Sequence, residues 1–373
     1  MLTKFFFILH LPPPIHGAAM MGKYIQESEL INSSFDCYCI NLATAGSLSD
    51  IGHISFKKLL KYFFLLKQIS HVVREIRPEL VYITPNAGGK AFFKDFIVVQ
   101  MLKSMRCKVI AHYHNKGVSV YQSKWVYNFF YKRFFSNLKV ILLAENLYKD
   151  MAKYVKREDV YICPNGIPRS CKEEMEARRN NVIPHLLFLS NLLISKGVIV
   201  LLDALKILKE KEYTFVCQFI GGETAEINAA QFFKEVNKRE LSDLVTYVGR
   251  KVGEEKKAFF RQADVFVFPT YYYNECFPLV ILEAMEYKLP VISTNEGGIP
   301  DIVKDGENGL ICEKQNPVSL ANCIAKLLDD EELRVKMGNA GYDKFCREFT
   351  LQQFEYRMLD ILSQNLPQKE KEN

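Results

Sequence analysis

Asn274-Glu275-Cys276-Phe277-Pro278-Leu279-Val280-Ile281-Leu282-Glu283-Ala284-Met285 is the stretch on which the reading of this chain turns. Just upstream, Val265-Phe266-Val267-Phe268 is short, β-branched and aromatic, the pattern of a buried strand that ends at Pro269 and Thr270. A polar, tyrosine-rich loop follows. Pro278 suits the first position of a helix, so a helix is expected to begin close to Phe277 and Pro278. Strand, loop and helix N-terminus in that order make an anion site, because the first-turn N–H groups and the positive end of the helix dipole face the loop. Glu275 lies just ahead of the helix and Glu283 more than one turn inside it, so both carboxylates are available to one ligand.

Carboxylates do not hold phosphate, but they accept hydrogen bonds from sugar hydroxyls. The economical ligand is a nucleotide diphosphate carrying a second sugar: Glu283 on the ribose, the helix end on the diphosphate, Glu275 on the second sugar. Two glutamates at this spacing also occur on solvated helix faces. Here the pair follows a strand, encloses Phe-Pro-Leu and precedes Leu289-Pro290-Val291-Ile292-Ser293-Thr294 and Gly297-Gly298-Ile299-Pro300. That combination resembles the signature of retaining GT-B glycosyltransferases of family 4.

The resemblance implies an α/β fold of two Rossmann-like, doubly wound parallel-sheet domains with a cleft between them. It implies transfer of a hexose-type sugar, with retained anomeric configuration, from a nucleotide-diphosphate sugar to a glycan or lipid-linked acceptor. Cys276, Phe277, Pro278 and Leu279 would frame the donor beside Glu275. No cofactor and no metal are implied, since cation duty falls to Lys196 and the helix N-terminus. Asp329-Asp330-Glu331-Glu332 invites a metal, but acidic residues opening a helix are the ordinary cap and dipole arrangement.

Length and composition agree with two domains: 373 residues, 49% of them hydrophobic, are enough for two full cores. No uninterrupted apolar run approaches the ~20 residues that span a bilayer, and Phe5-Phe6-Phe7-Ile8-Leu9 is stopped by His10 and Pro12-Pro13-Pro14, so a secretory signal is not expected. Ten cysteines without C-x-x-C spacing, several within apolar runs (Cys107, Cys163, Cys217, Cys312), suit reduced thiols in a cytosolic protein. Residues 1–165 hold 22 Lys and Arg against 11 Asp and Glu, a net +11, which leaves −5 for the rest of a chain whose total is +6. A basic half alone also suits a nucleic-acid binder, but no binding motif accompanies it.

In chain order, Phe5 to Leu9, Val81 to Thr84, Val109 to Ala111, Val140 to Ala144 and Val160 to Cys163 read as strands separated by helices, a parallel sheet covered on both faces. The loop after the first strand, Pro12 to Ala19, resembles the family's glycine-containing loop against donor phosphate and acceptor; Gly17 and His16 are its candidate contacts, or the loop is a stiff turn that touches nothing. The third strand in this reading leads into Ala111-His112-Tyr113-His114-Asn115. His114 maps onto the family's functional histidine, with His112 possible and Asn115 on the acceptor side; a structural histidine is the alternative.

Two helices bear comparison with membrane-surface helices. In 56–76, Phe56, Leu59, Leu60, Phe63, Leu66, Ile69, Val73 and Ile76 form an apolar stripe opposed by Lys57, Lys58 and Lys61, read as packing on the sheet. In 123–139, Trp125, Tyr127, Phe129, Phe130, Tyr131, Phe134 and Phe135 are too many aromatics for one stripe, which favours an anionic membrane interface. The organisation expected is a domain over 1–168 completed by a helix at 349–366, a linker, a nucleotide-sugar domain over 185–348, and a disordered tail at 367–373.

In the second domain, Leu192 to Gly197 follows a strand at His185 to Ser190, and Lys196 matches the family's diphosphate lysine. Asn191 stands where the family usually has arginine, one positive charge fewer, which leaves open a protein that binds donor without turning it over. Val245 to Val252 resembles the family's strand and base-contacting loop, where main-chain groups near Arg250 and Val252 would read the base, or it is a plain surface loop. With the cysteine usage of a cytoplasmic protein, the basic half and the aromatic-basic segment fit peripheral attachment at an inner membrane and a phosphate-bearing, lipid-linked acceptor, which would make this an assembler of surface polysaccharide.

Overall fold

In a computed structural model of the chain, residues 2–13, 17–42, 56–170 and 181–366 are described, with only the backbone of residues 56–58. Two compact units emerge: Met1–Gly166 with Leu351–Asn373, and Ile167–Thr350. His16, the middle of the expected linker and the tail at 367–373 lie outside the described residues.

The first unit is built on β1 (Lys4–Leu9), β2 (Asp36–Asn41), β3 (Leu80–Ile83), β4 (Val109–Tyr113), β5 (Lys139–Leu142) and β6 (Val160–Ile162). They form one parallel sheet in the order β2-β1-β3-β4-β5-β6, with Phe6 opposite both Tyr38 and Val81. Phe5, Phe6 and Ile8 are wholly buried, as a central strand covered on both faces requires. β2 was not among the expected strands. It is an edge strand whose side chains are mostly half-buried, so it carries no continuous apolar run. Its helices are α1 (Gly17–Glu27), α2 (Glu29–Ser34), α3 (Phe56–Ile76), α4 (Gly89–Ser104), α5 (Val118–Tyr121) and α6 (Trp125–Phe135).

The second unit repeats the plan with β7 (His185–Leu189), β8 (Val216–Ile220), β9 (Val245–Tyr247), β10 (Val265–Phe268), β11 (Val291–Thr294) and β12 (Gly309–Cys312), parallel in the order β12-β11-β10-β7-β8-β9. Its helices are α7 (Val198–Glu210), α8 (Ala229–Lys238), α9 (Gly253–Gln262), α10 (Leu279–Glu286), α11 (Ile299–Ile302), α12 (Pro317–Asp329) and α13 (Glu331–Glu348). Asp330 caps α13 by accepting from Leu333 N at 2.8 Å, as expected for an acidic helix start. The last helix, α14 (Leu351–Gln364), belongs to the first unit, where Lys108 Nζ donates to Asn365 O just beyond it. Cys163, Cys217 and Cys312 are enclosed while Cys107 is half-buried; burial pushes the Cys163 and Cys312 thiols up to about 12.

Two helices differ from expectation. The aromatic surplus of α6 is absorbed inside the unit by α4: Phe92 meets Tyr131 at 4.6 Å and Phe134 at 5.5 Å, and Phe130 meets Phe96 at 4.8 Å and Phe93 at 5.4 Å. A second aromatic-rich helix alongside takes most of the second stripe, leaving Trp125 and Phe129 exposed. On α3 the buried residues are Tyr62, Leu65, Ile69, Val73 and Ile76, whereas Leu59, Leu60 and Phe63, assigned to that stripe, are exposed.

The aromatic cluster makes a stability prediction. Phe92 is fully enclosed, so Phe92→Ala is expected to cost about 3–5 kcal/mol in urea unfolding. Trp125 is 80% exposed, and Trp125→Ala should change stability by no more than ~0.5 kcal/mol.

Candidate functional site

Strand order decides where each unit's ligand loops meet. In the second unit the chain runs from β7 outward to β8 and β9, then returns to the other side of β7 with β10, so the direction reverses between β7 and β10. Crevices at such reversals, beyond the carboxyl ends of the strands, are where open parallel sheets take ligands. The loops after β7 and β10 carry Lys196 and Glu275.

They are joined before any ligand arrives. Tyr271 N donates to Ser195 O at 2.8 Å, tying the two loops backbone to backbone. Gly197, at φ 88°, brings its loop so close that a Cβ there would lie 2.4 Å from Pro269 O. Across this seam the Lys196 ammonium donates a short hydrogen bond to the Glu275 carboxylate. Their side chains are only 15% and 10% exposed, and the ammonium also lies 4.6 Å from the Tyr272 ring centroid. The far side of the loop is fixed too. Gly297, at φ 55°, leaves room for the Glu275 carbonyl, which a Cβ would approach to 2.1 Å, and Gly298 N donates to Cys276 O at 2.7 Å.

Beside the pair, α10 begins at Leu279 with no side-chain cap on its first turn. Pro278 is the N-cap itself, in extended conformation, one position earlier than the sequence reading put it. Cys276 and Phe277 are buried, and Phe277 packs against Phe349 at 5.7 Å, so a ligand could meet their backbone rather than their side chains. Glu283, on α10, accepts from Lys256 Nζ of α9 at 2.7 Å through Oε1, while its Oε2 is buried with no hydrogen-bond partner among the described residues. Lys256 escaped the sequence reading because Glu254, Glu255 and Lys257 around it look like an ordinary solvated helix.

The remaining expected donor contacts stand differently. Asn191 is exposed, and its Oδ1 accepts from Gly222 N at 3.2 Å, so its amide braces the loop after β8. Arg250 is exposed, and Val252 is exposed as the N-cap of α9. These side chains lie on the surface of the β9–α9 loop, where only their backbone is fixed by the fold.

In the first unit the reversal falls between β1 and β3. His10 N and Nδ1 lie 3.2 and 3.1 Å from Thr84 Oγ1, closing the two loops together. Gly17 is exposed and a Cβ there would meet nothing within 4 Å, so no packing demands a glycine at that position. His112 is fully buried: the Tyr82 hydroxyl lies 2.6 Å from Nδ1, and burial, then His114, drives its pKa well below the usual histidine range. It forms the wall behind His114, whose half-buried ring lies 4.2 Å away, and has no surface for an acceptor. Asn115 is spent on the loop after β3, its Oδ1 accepting from Ala87 N at 2.6 Å and its Nδ2 donating to Pro85 O at 3.3 Å. Asp95 holds the same loop, its Oδ2 accepting from Asn86 N and Nδ2 at 2.7 and 2.8 Å. Among the described residues no group of His, Cys, Asp and Glu could hold a metal ion.

Residues 176–344 match the model of the family described as glycosyl transferases group 1. A glycosyltransferase of Methanocaldococcus jannaschii, itself uncharacterized, is 35% identical over 164 residues, 44% of this chain and 43% of that protein. The capsular polysaccharide biosynthesis glycosyltransferase CapM of Staphylococcus aureus is 32% identical over 157 residues, 42% of this chain and 40% of CapM. The chain thus matches less than half the length of these curated relatives. Over 97% of this chain and 100% of the other, the structure of Anabaena HepE in complex with UDP superposes with a TM-score of 0.73 at 16% identity, which places both units in the GT-B fold.

Asp95 supplies a pH signature for the first unit. Burial raises its carboxyl from 3.8 to about 6, with the Asn86 hydrogen bonds pulling the other way. Below 3.8 the folded and unfolded states are both protonated. Between 3.8 and about 6 only the folded state keeps the proton, so stability falls as pH rises through that window, by up to roughly 3 kcal/mol. Urea midpoints of Asp95→Asn should lack this fall; an unchanged slope would show that Asp95 does not titrate there.

Proposed function

We propose that this chain, which matches the glycosyl transferases group 1 model over residues 176–344, moves a sugar from a nucleotide-diphosphate donor to a glycan or lipid-linked acceptor with retention. The observation that carries the reading is the enclosed Lys196–Glu275 pair at the β7/β10 reversal, next to the uncapped start of α10. A donor diphosphate there takes over Lys196, and Glu275 is released to accept from a hydroxyl of the transferred sugar. The bond from the anomeric carbon to the diphosphate breaks, a bond to the acceptor hydroxyl oxygen forms, and the proton of that hydroxyl passes to the departing diphosphate. Charge growing on the departing diphosphate is met by Lys196 and the α10 N-terminus. Glu283 Oε2, still without a partner, takes the ribose, and no metal or cofactor is needed. In the first unit His114, not His112, meets a sugar hydroxyl.

The similarity to CapM favours an acceptor in surface polysaccharide assembly, and the UDP held by HepE favours a uridine donor. The basic first half favours peripheral attachment at the cytoplasmic face of an inner membrane, where a phosphate-bearing lipid acceptor would be found. Asn191, bringing no cation to the leaving group, supports a second reading, a protein that binds donor without turnover.

Titration calorimetry with UDP, GDP and their common sugar derivatives tests the donor site. One nucleotide should bind selectively with a dissociation constant on the order of micromolar, and Glu283→Ala should weaken it by roughly tenfold or more. Binding without transfer or hydrolysis would favour the second reading; no binding of any nucleotide would refute both.

A further inference from the structure

The first turns of α3 present an apolar surface to solvent. Leu59 is 60% exposed, Leu60 43%, Phe63 51% and Phe64 64%. At about 100° per residue these four share one side of the helix, opposite the side on which Tyr62, Leu65, Ile69, Val73 and Ile76 are buried. The helix is anchored from beneath: the Tyr62 hydroxyl donates to Lys94 O of α4 at 2.6 Å. Two consecutive turns of exposed Leu and Phe on an anchored helix call for a partner, since scattered single apolar residues would not form such a patch.

Charge identifies the partner. Continuing along the exposed side, the apolar turns are followed by Lys67, whose ammonium lies 4.7 Å from the Phe63 ring centroid, and then by Arg74. Residues 56–74 contain no carboxylate; the first, Glu75 in the last turn, faces His71 at 3.3 Å. From residue 80 to 144 the only carboxylate is Asp95, which is buried, against ten Lys and Arg. A second copy of the chain would set the cations of this helix side against themselves. An anionic lipid surface matches both parts, with acyl chains for the leucines and phenylalanines and headgroup phosphates for the cations.

We infer that the exposed side of α3, centred on Phe63 and Phe64, is the face by which this protein docks on an anionic bilayer. The docking lies in the interface plane; among the described residues no helix is long and apolar enough to cross a membrane. The inference rests on the proposed membrane-presented acceptor for its purpose, and on the exposed side chains for its location. α6 is not the docking helix, because most of its aromatics are spent on α4 and only Trp125 and Phe129 remain exposed.

Cosedimentation of the full chain with vesicles of phosphatidylcholine alone, and of phosphatidylcholine mixed with phosphatidylglycerol, tests it, with UDP calorimetry on the same samples. The wild type should bind the anionic vesicles and release with salt. F63S/F64S should weaken binding by roughly tenfold or more, leaving the thermal midpoint and the nucleotide affinity unchanged, while W125S/F129S should bind like the wild type. Absence of binding by the wild type, undiminished binding by F63S/F64S, or loss in W125S/F129S alone would overturn it. So would concentration-dependent self-association abolished by F63S/F64S, which would make a second copy the occupant. Because the calorimetry reads the donor site separately, failure of the docking face and failure of the transferase reading are told apart.

Discussion

The second unit is arranged around one ion pair, Lys196 with Glu275, held where its sheet reverses direction. Taking both charges largely out of water costs several kcal/mol per ion, which their attraction repays only in part, so such a pair is a poor way to stabilise a fold. Its surroundings are nevertheless built to keep it. The Tyr271–Ser195 hydrogen bond clamps the two loops, and Gly197 and Gly297 admit backbone carbonyls that a side chain would exclude. Below, the wholly buried hydroxyls of Ser293 and Thr294 donate to the carbonyls of Phe268 and Thr270, fixing the end of β10 from which the Glu275 loop departs. A costly pair on an over-determined scaffold is what a site needs when an incoming anion is to replace the carboxylate without reorganising the backbone.

The first unit solves a different problem. Its central strand is a run of phenylalanines, and its α4 and α6 are so rich in aromatics that they pack on each other as well as on the sheet. Buried polar groups here serve loop geometry. Asp95 and Asn115 hold the loop after β3, and Thr84 ties that loop to the one after β1. The loops at its reversal are thus fixed by side chains, whereas those of the second unit are fixed mainly by glycine and backbone.

Much of this was legible in the sequence, for identifiable reasons. Val265 to Phe268 and Phe5 to Leu9 are buried on both faces, so they read as continuous apolar runs, and Lys196 and Glu275 stood out because their loops follow such runs, Glu283 because its helix follows the Glu275 loop. β2 was hidden because an edge strand needs no such run. The pairing of Glu283 with Lys256 depends on α9 lying beside α10, which no local pattern states. Periodicity misassigned α3: its apolar residues occupy two sides, and the sequence cannot say which of them is buried. His112 and His114 are two residues apart and so point the same way; what separates them is depth, His112 lying inside β4 against Tyr82 and His114 just past the strand's end.

A crystal structure with UDP bound tests the central claim most directly. The diphosphate should lie against Lys196 Nζ and the first turn of α10, with the Lys196–Glu275 contact opened and a ribose hydroxyl on Glu283. A nucleotide bound elsewhere, with the Lys196–Glu275 pair intact, would contradict it.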